Sequence, residues 1–306
     1  MLHLKEHGYA VVPNVISQEK VESYKTRFWQ WMGSFGTKLS EDPSTWESKN
    51  WPPSIRGLLQ HYRIGHSKFV WDLRCEPAVL DVFSTIWGEE RDLLVSFDGA
   101  CLAKPSHIDK TLENDSWAHL DQGPAKAGKF ECIQGLMTFT EAGPGLGGLL
   151  VYKDSARLHK KFFRRFAEFS KSLGNADRCK LEQEHRDWYF RHGAVELQPA
   201  APPGSLLLWD SRTVHWAARP GHGQTHCRMA IYLCYVPRWK ATEKDLQKKR
   251  KAFIDRRMTS HWPAKPKLFA KAMRTYGNTE LLEKFTDRPV LSDAEVTETI
   301  RKLAGF

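Results

Sequence analysis

Three His-x-Asp triplets stand in the chain: His107-Ile108-Asp109, His119-Leu120-Asp121 and His185-Arg186-Asp187. On a β-strand, residues two apart project to the same face, so such a pair can share one cation. Two imidazoles and one carboxylate on one face of an octahedral ion leave three positions open for a chelating co-substrate and dioxygen. The spacing alone does not decide the matter. With 13 His among 306 residues and their Asp partners, roughly 0.7 such triplets arise by chance.

Context separates the three. The first follows Pro105 and Ser106 in a loop-like stretch. The third lies in a charged, helix-like run, where i and i+2 diverge around the helix, and is expected on the surface. In Trp117-Ala118-His119-Leu120-Asp121 the residues Trp117, His119 and Asp121 share one strand face. The missing imidazole belongs at the end of a later strand. Gly204-Ser205-Leu206-Leu207-Leu208-Trp209-Asp210 is a turn followed by an apolar strand, and His215 comes just beyond it. Thirteen residues on, Arg228 opens the strand Met229–Val236, and an antiparallel neighbour brings its guanidinium back beside the metal, where a planar fork suits a carboxylate.

The elements that must hold these groups are legible in outline. Gly8–Ile16 reads as a short strand entering a turn, and Ser17 caps a helix carrying Val21, Tyr24, Phe28 and Met32 that ends near Gly33. Residues 34–57 read as a long loop, and a second helix covers Pro77 to Trp87. From Asp92 onward short apolar or alternating runs follow: Leu93–Phe97, Trp117–Asp121, Cys132–Thr140, Gly148–Tyr152, Ala194–Leu197, Ser205–Trp209 and Cys227–Val236. Strands in that succession predict a β-sandwich or barrel. It is interrupted between Ser155 and His192 by a helical insertion, and helices resume after Pro237, where Thr242 and Asp245 form a capping pair.

Composition bounds the rest. Hydrophobic residues make up 41% and charged residues 27%, which excludes broad disorder. No run approaches the roughly 18 apolar residues of a membrane span, and Lys5, Glu6, His7 and Pro13 near the start match no secretory signal. A soluble, cytoplasmic protein is the expectation. The six cysteines form no CxxC pair, so buried neutral thiols are expected rather than a zinc cluster or disulfides. Of the net charge of +10, +8 lies between Pro237 and Phe306.

These pieces resemble the phytanoyl-CoA dioxygenase family of iron(II)/2-oxoglutarate oxygenases. The resemblance is carried by Gly8-Tyr9-Ala10-Val11-Val12-Pro13, His119-Leu120-Asp121-Gln122-Gly123, Gly147-Gly148-Leu149-Leu150-Val151, Gly204 to Asp210, His215 and Arg228. It spans roughly residues 1 to 237. It implies a mainly β fold, a double-stranded β-helix (jelly roll) with flanking helices, as one domain over 1–237 with an insertion at about 155–192. Residues 238–306 then form a basic helical extension packed on that domain.

The implied chemistry is hydroxylation of a small-molecule substrate, with 2-oxoglutarate decarboxylated to succinate. His119, Asp121 and His215 are the implied iron ligands, and Arg228 holds the far carboxylate of the co-substrate. Asp121 speaks against a halogenase, because halogenating relatives lack this carboxylate. Gln134, Thr138 and Tyr152 lie on strands that line the cavity in this scheme; a polar solvent face is the plain alternative. The sequence departs from the family at Leu120, at Lys153–His159 and at Ala217.

The competing expectation is a nucleic-acid-binding protein on the same barrel, either a base-oxidising oxygenase or an inactive scaffold. Its support is the basic C-terminal region with Trp239, Trp262 and Phe269 interleaved. The segment Thr259-Ser260-His261-Trp262-Pro263 has no motif assignment; covering the barrel mouth is the one role it suggests.

Overall fold

A computed structural model of the chain describes residues 2–105, 108, 116–221, 223–273 and 278–306. The triplet formed by His107 and Asp109 therefore lies outside the described residues. Twelve strands run in chain order among those described: β1 Tyr9–Val12, β2 Leu58–Leu59, β3 Leu93–Val95, β4 Ala100–Ala103, β5 His119–Leu120, β6 Ile133–Thr138, β7 Leu146–Lys153, β8 Cys179–Lys180, β9 Val195–Leu197, β10 Leu206–Asp210, β11 His215–Pro220 and β12 Arg228–Pro237. One sheet has the order β1-β10-β6-β12-β4-β2, with β3 also on β12, and the other has the order β8-β5-β11-β7-β9. Every pairing is antiparallel. The expected double-stranded β-helix is present, flanked by helices.

Period-two alternation sorts the side chains. Leu136, Leu207, Trp209, Ala230, Leu149 and Val151 meet between the sheets in one cluster. Their strand neighbours Ile133, Met137, Leu206, Leu208 and Ile231 face outward into a larger one. After a short α1 (Leu2–His7), that outer face is covered by α2 (Gln18–Gly33), α3 (Lys68–Arg74) and α4 (Pro77–Ile86). Helix α2 starts where Ser17 Oγ accepts from Lys20 N, and it buries Val21, Tyr24, Phe28 and Met32 as the spacing predicts. Each such side chain contributes about 1.5–3 kcal/mol. Tyr24 meets Phe139 and Phe28 meets Phe69 at ring separations of 5.7 and 5.6 Å.

The insertion forms α5 (Ser155–Arg165), α6 (Ala167–Leu173), β8 and α7 (Gln183–Arg191). It covers the outside of the second sheet, where Phe162, Phe163, Trp188 and Tyr189 pack on Tyr152, Leu120 and Trp216. His185, expected on the surface, is 3% exposed and sits among the rings of Phe162, Phe166 and Phe169. The amphipathic α7 turns it inward, where it closes a capping box with Glu182 and lies 3.8 Å from Glu184.

Beyond β12, α8 (Glu243–Ile254) opens on the Thr242/Asp245 capping box. Much of the basic charge in this region serves the fold. Lys249 is buried and donates to Val95 O, Arg256 pairs with Asp293 at 2.7 Å, and Arg238 donates to Phe306 O at 2.6 Å. No described helix is long and apolar enough to cross a membrane.

Candidate functional site

The two imidazoles come together because β5 and β11 are neighbours and His119 is the direct partner of His215 in their ladder. Their ring centroids are 4.4 Å apart. Asp121, just past β5, sets one oxygen 3.5 Å from His119 Nε2 and the other 3.2 Å from His215 Nε2. The ligand atoms of the three lie within 4.8 Å of one another, and all three residues are buried. Separations near 3 Å are those of neighbouring donors around a single first-row ion.

The protonation pattern fits such an ion. His119 Nδ1 lies 3.2 Å from Trp117 O and His215 Nδ1 lies 3.0 Å from Thr213 O. A carbonyl can only accept, so each Nδ1 carries the proton and each Nε2 keeps its lone pair toward the shared point. Burial pulls His119 down to about 3, which keeps it neutral. Burial opposes ionisation of Asp121, yet the imidazoles of His261, His119 and His215 hold it well below the usual carboxylate range. Two neutral nitrogens and one anionic oxygen, converging and shielded from water, are a donor set suited to iron(II).

Supports surround the set. Trp117 stacks on His119 at 5.0 Å, and Trp209 lies 5.2 Å from His215. The turn after Asp121 is locked by Gln122, which donates to Lys126 O and Lys129 O and accepts from Ser211 Oγ.

The other residues expected at the site divide. Gln134 faces the interior, but it holds the metal-site carboxylate: its Nε2 donates to Asp121 Oδ2 at 2.9 Å. Thr138 also lies on the inner face of β6, where its hydroxyl donates to Thr140 O at 2.6 Å. Tyr152 is a correction. It packs outside the second sheet against Trp216 and Phe190, because Leu149 and Val151 take the inward positions of β7.

Arg228 is 4% exposed and projects into the barrel. Its Nη1 lies 3.1 Å from Cys101 Sγ, and its Nε is buried with no partner. No carboxylate pairs with it among the described residues. Asp210, the competing partner, is taken by Arg212 at 2.6 Å. Gly148, at φ +118°, makes the space: a Cβ there would meet Arg228 Nε at 3.3 Å. A buried guanidinium with an open donor and a cleared flank fits a carboxylate-bearing ligand.

One residue at the site comes from the segment 259–263, which carries no ligand motif in the sequence. His261, from the C-terminal region, brings Nδ1 to 3.8 Å from Asp121 Oδ2, while its Nε2 is buried and unpartnered. Burial lowers its pKa and favours the neutral ring. All six cysteines are free, and five are buried.

Comparisons with known proteins agree with this geometry. The sequence profile of the family described as Phytanoyl-CoA dioxygenase (PhyH) matches residues 4–223. A curated relative, "Ava biosynthesis cluster protein O" from Aspergillus versicolor, is 34% identical over 261 residues, covering 84% of this chain and 83% of its own length. Among solved structures, the chain is similar to the non-heme alpha ketoglutarate dependent carbocyclase SnoK from nogalamycin biosynthesis. The TM-score is 0.51 at 14% identity, over 77% of this chain and 82% of that one. It is also similar to EctD from S. alaskensis with bound Fe, with a TM-score of 0.50 at 13% identity, over 79% and 77%. At such identities the last two speak for the fold alone.

Proposed function

The chain belongs to the phytanoyl-CoA dioxygenase family of non-haem iron, 2-oxoglutarate-dependent oxygenases, and from that membership we propose that it hydroxylates a small organic molecule. The observation that carries the reading is the buried triad of His119, Asp121 and His215, with an Arg228 in the same barrel that no described carboxylate pairs with and whose Nε is unpartnered. The relative named for a biosynthesis cluster supports a small molecule over a macromolecule as substrate.

Iron(II) and 2-oxoglutarate, when bound, supply the oxidising chemistry, with dioxygen reduced and the oxo acid decarboxylated to succinate. The chain's own residues do the holding and shaping. His119 and His215 would offer Nε2 lone pairs, fixed by the backbone carbonyls behind them. Asp121 would offer one oxygen while Gln134 steadies the carboxylate. Arg228 would take the far carboxylate of the co-substrate through charge-assisted hydrogen bonds. Trp117 and Trp209 exclude water from the donor set.

The test is anaerobic loading with iron(II), then conversion of 2-oxoglutarate to succinate in air. Parent protein turns over the oxo acid; His119→Ala, Asp121→Ala and His215→Ala lose iron and turnover together. Variants that retain parental turnover refute the proposal. The nucleic-acid alternative predicts salt-dependent binding to DNA or RNA with a steep slope.

A further inference from the structure

The C-terminal region reaches the metal centre through a short antiparallel clip. Thr259 N donates to Phe97 O and Thr259 Oγ1 accepts from Phe97 N, both at 3.0 Å. Ser260 N donates to Lys267 O at 2.9 Å and Phe269 N to Met258 O at 3.0 Å. Asp177, from the insertion, holds Lys267 on one oxygen and Lys126 on the other, and Lys126 Nζ lies 3.9 Å over the ring of Trp262. These ties fix His261 beside Asp121, beyond residue 223, where the family match ends.

Resting on the oxygenase reading, we propose that His261 is a substrate-positioning residue whose imidazole hydrogen-bonds an oxygen function of a neutral, largely apolar substrate lying against the metal centre. The ring makes no hydrogen bond to any described residue. An imidazole beside a reaction centre whose Nδ1 faces Asp121 and whose Nε2 is buried without a partner calls for a partner at Nε2 from outside the chain. The buried Nε2 can donate to or accept from one oxygen, which matches a hydroxyl or carbonyl group.

Charge matching points to a neutral molecule. The charged groups around His261 are Asp121, Asp177 and Lys267. Asp121 belongs to the donor set, and Asp177 is shared between Lys126 and Lys267. Near His261 itself none is left over for an ionic group, whereas Arg56 and Arg178 lie over the ring of Trp117. The walls are indoles: Trp262 at 5.3 Å from the His261 ring, Trp209 beside His215 and Trp117 on His119. Such walls favour a flat, carbon-rich skeleton.

The experiment uses full-length protein loaded anaerobically with iron(II) and 2-oxoglutarate, with the charge-transfer absorption of that chelate as the integrity readout. Binding of 1-naphthol and anthrone is measured calorimetrically against the charged analogues 1-naphthoate and 1-naphthylmethylammonium. A neutral probe binds, and the charged analogues bind at least about tenfold more weakly. His261→Ala weakens the neutral probe about tenfold, the loss of one hydrogen bond, while the absorption band forms as in the parent; His261→Gln, which keeps a donor and an acceptor, recovers part of the loss. The proposal is overturned if no neutral probe binds, if charged analogues bind equally, if His261→Ala binds like the parent, or if that variant loses the band. A parent protein that forms no band refutes the oxygenase reading instead.

Discussion

Gln134 donates its side-chain amide to Asp121 Oδ2 at 2.9 Å, so the one anionic member of the donor set is held from the opposite sheet. Gln134 stands on β6 and Asp121 just past β5. The contact therefore ties the two halves of the barrel together at the metal.

Gln134→Leu removes that donor at nearly constant volume. The variant folds, but its iron(II) affinity falls about 10- to 100-fold, the usual cost of losing a partner behind a metal ligand. Competition with a fluorescent chelator measures this. An affinity within twofold of the parent contradicts the assignment.

Arg228 and Gly148 form a second pair. Arg228→Lys keeps the charge but not the planar fork, and KM for 2-oxoglutarate rises at least about tenfold, with Arg228→Ala worse still. Gly148→Ala is expected to raise the same KM, because its Cβ would press on Arg228 Nε at a φ of +118° that alanine rarely adopts. Co-substrate titrations at saturating iron read both effects. An unchanged KM in Arg228→Lys sinks the anchoring role.

Stability falls on the acid side. His66 is fully buried, donates Nε2–H to Arg257 O at 2.9 Å, and is pulled down by burial to about 3, with Arg74, Arg256 and Lys249 adding to the effect. The unfolded chain takes up this proton below its ordinary value near 6.5 and the folded chain does not. The contribution is complete above that value and is lost as the pH falls toward the folded one, at about 1.4 kcal/mol per pH unit. Urea midpoints of parent and His66→Gln, compared from pH 7 to 4, isolate it: the variant shows the shallower slope. Parallel curves count against it.

Asp177 links the insertion to the C-terminal clip. Asp177→Asn frees Lys267 and weakens the hold on Lys126. The expected stability loss is modest, about 1 kcal/mol, since Lys267 is half exposed. The amides of residues 260–262, 264, 265 and 267 then exchange faster with deuterium while those of β6 and β12 do not. Unaltered exchange in the clip shows that Asp177 is dispensable there.

The cluster of His119, Asp121 and His215 was legible because a strand imposes period two and the chain places only one His-x-Asp on a convincing strand. The face of Tyr152 was not. The insertion buries the outside of the second sheet, so both sides of β7 are apolar and alternation carries no sign for in or out. His185 was misjudged for the same reason: the insertion looks charged along the sequence, but α7 keeps an aromatic face toward the barrel. His261 was invisible as a ligand neighbour, since it meets Asp121 across 140 residues of chain, and no local pattern encodes that meeting. Strand β11 was missed as well, since Ala217, Ala218 and Pro220 give it little β-forming character.

The placement of His119 opposite His215 on one rung of an antiparallel ladder has a further effect. Peptide geometry, not the ion, sets the gap between the two rings. Such a receptacle survives emptying, so it can be stripped by dialysis and refilled without refolding. It also discriminates poorly between divalent ions of similar radius, and cobalt, nickel or zinc will compete for it according to intrinsic affinity. Which ion occupies it is then decided by supply, and protein isolated in air will carry a mixture until iron(II) is restored.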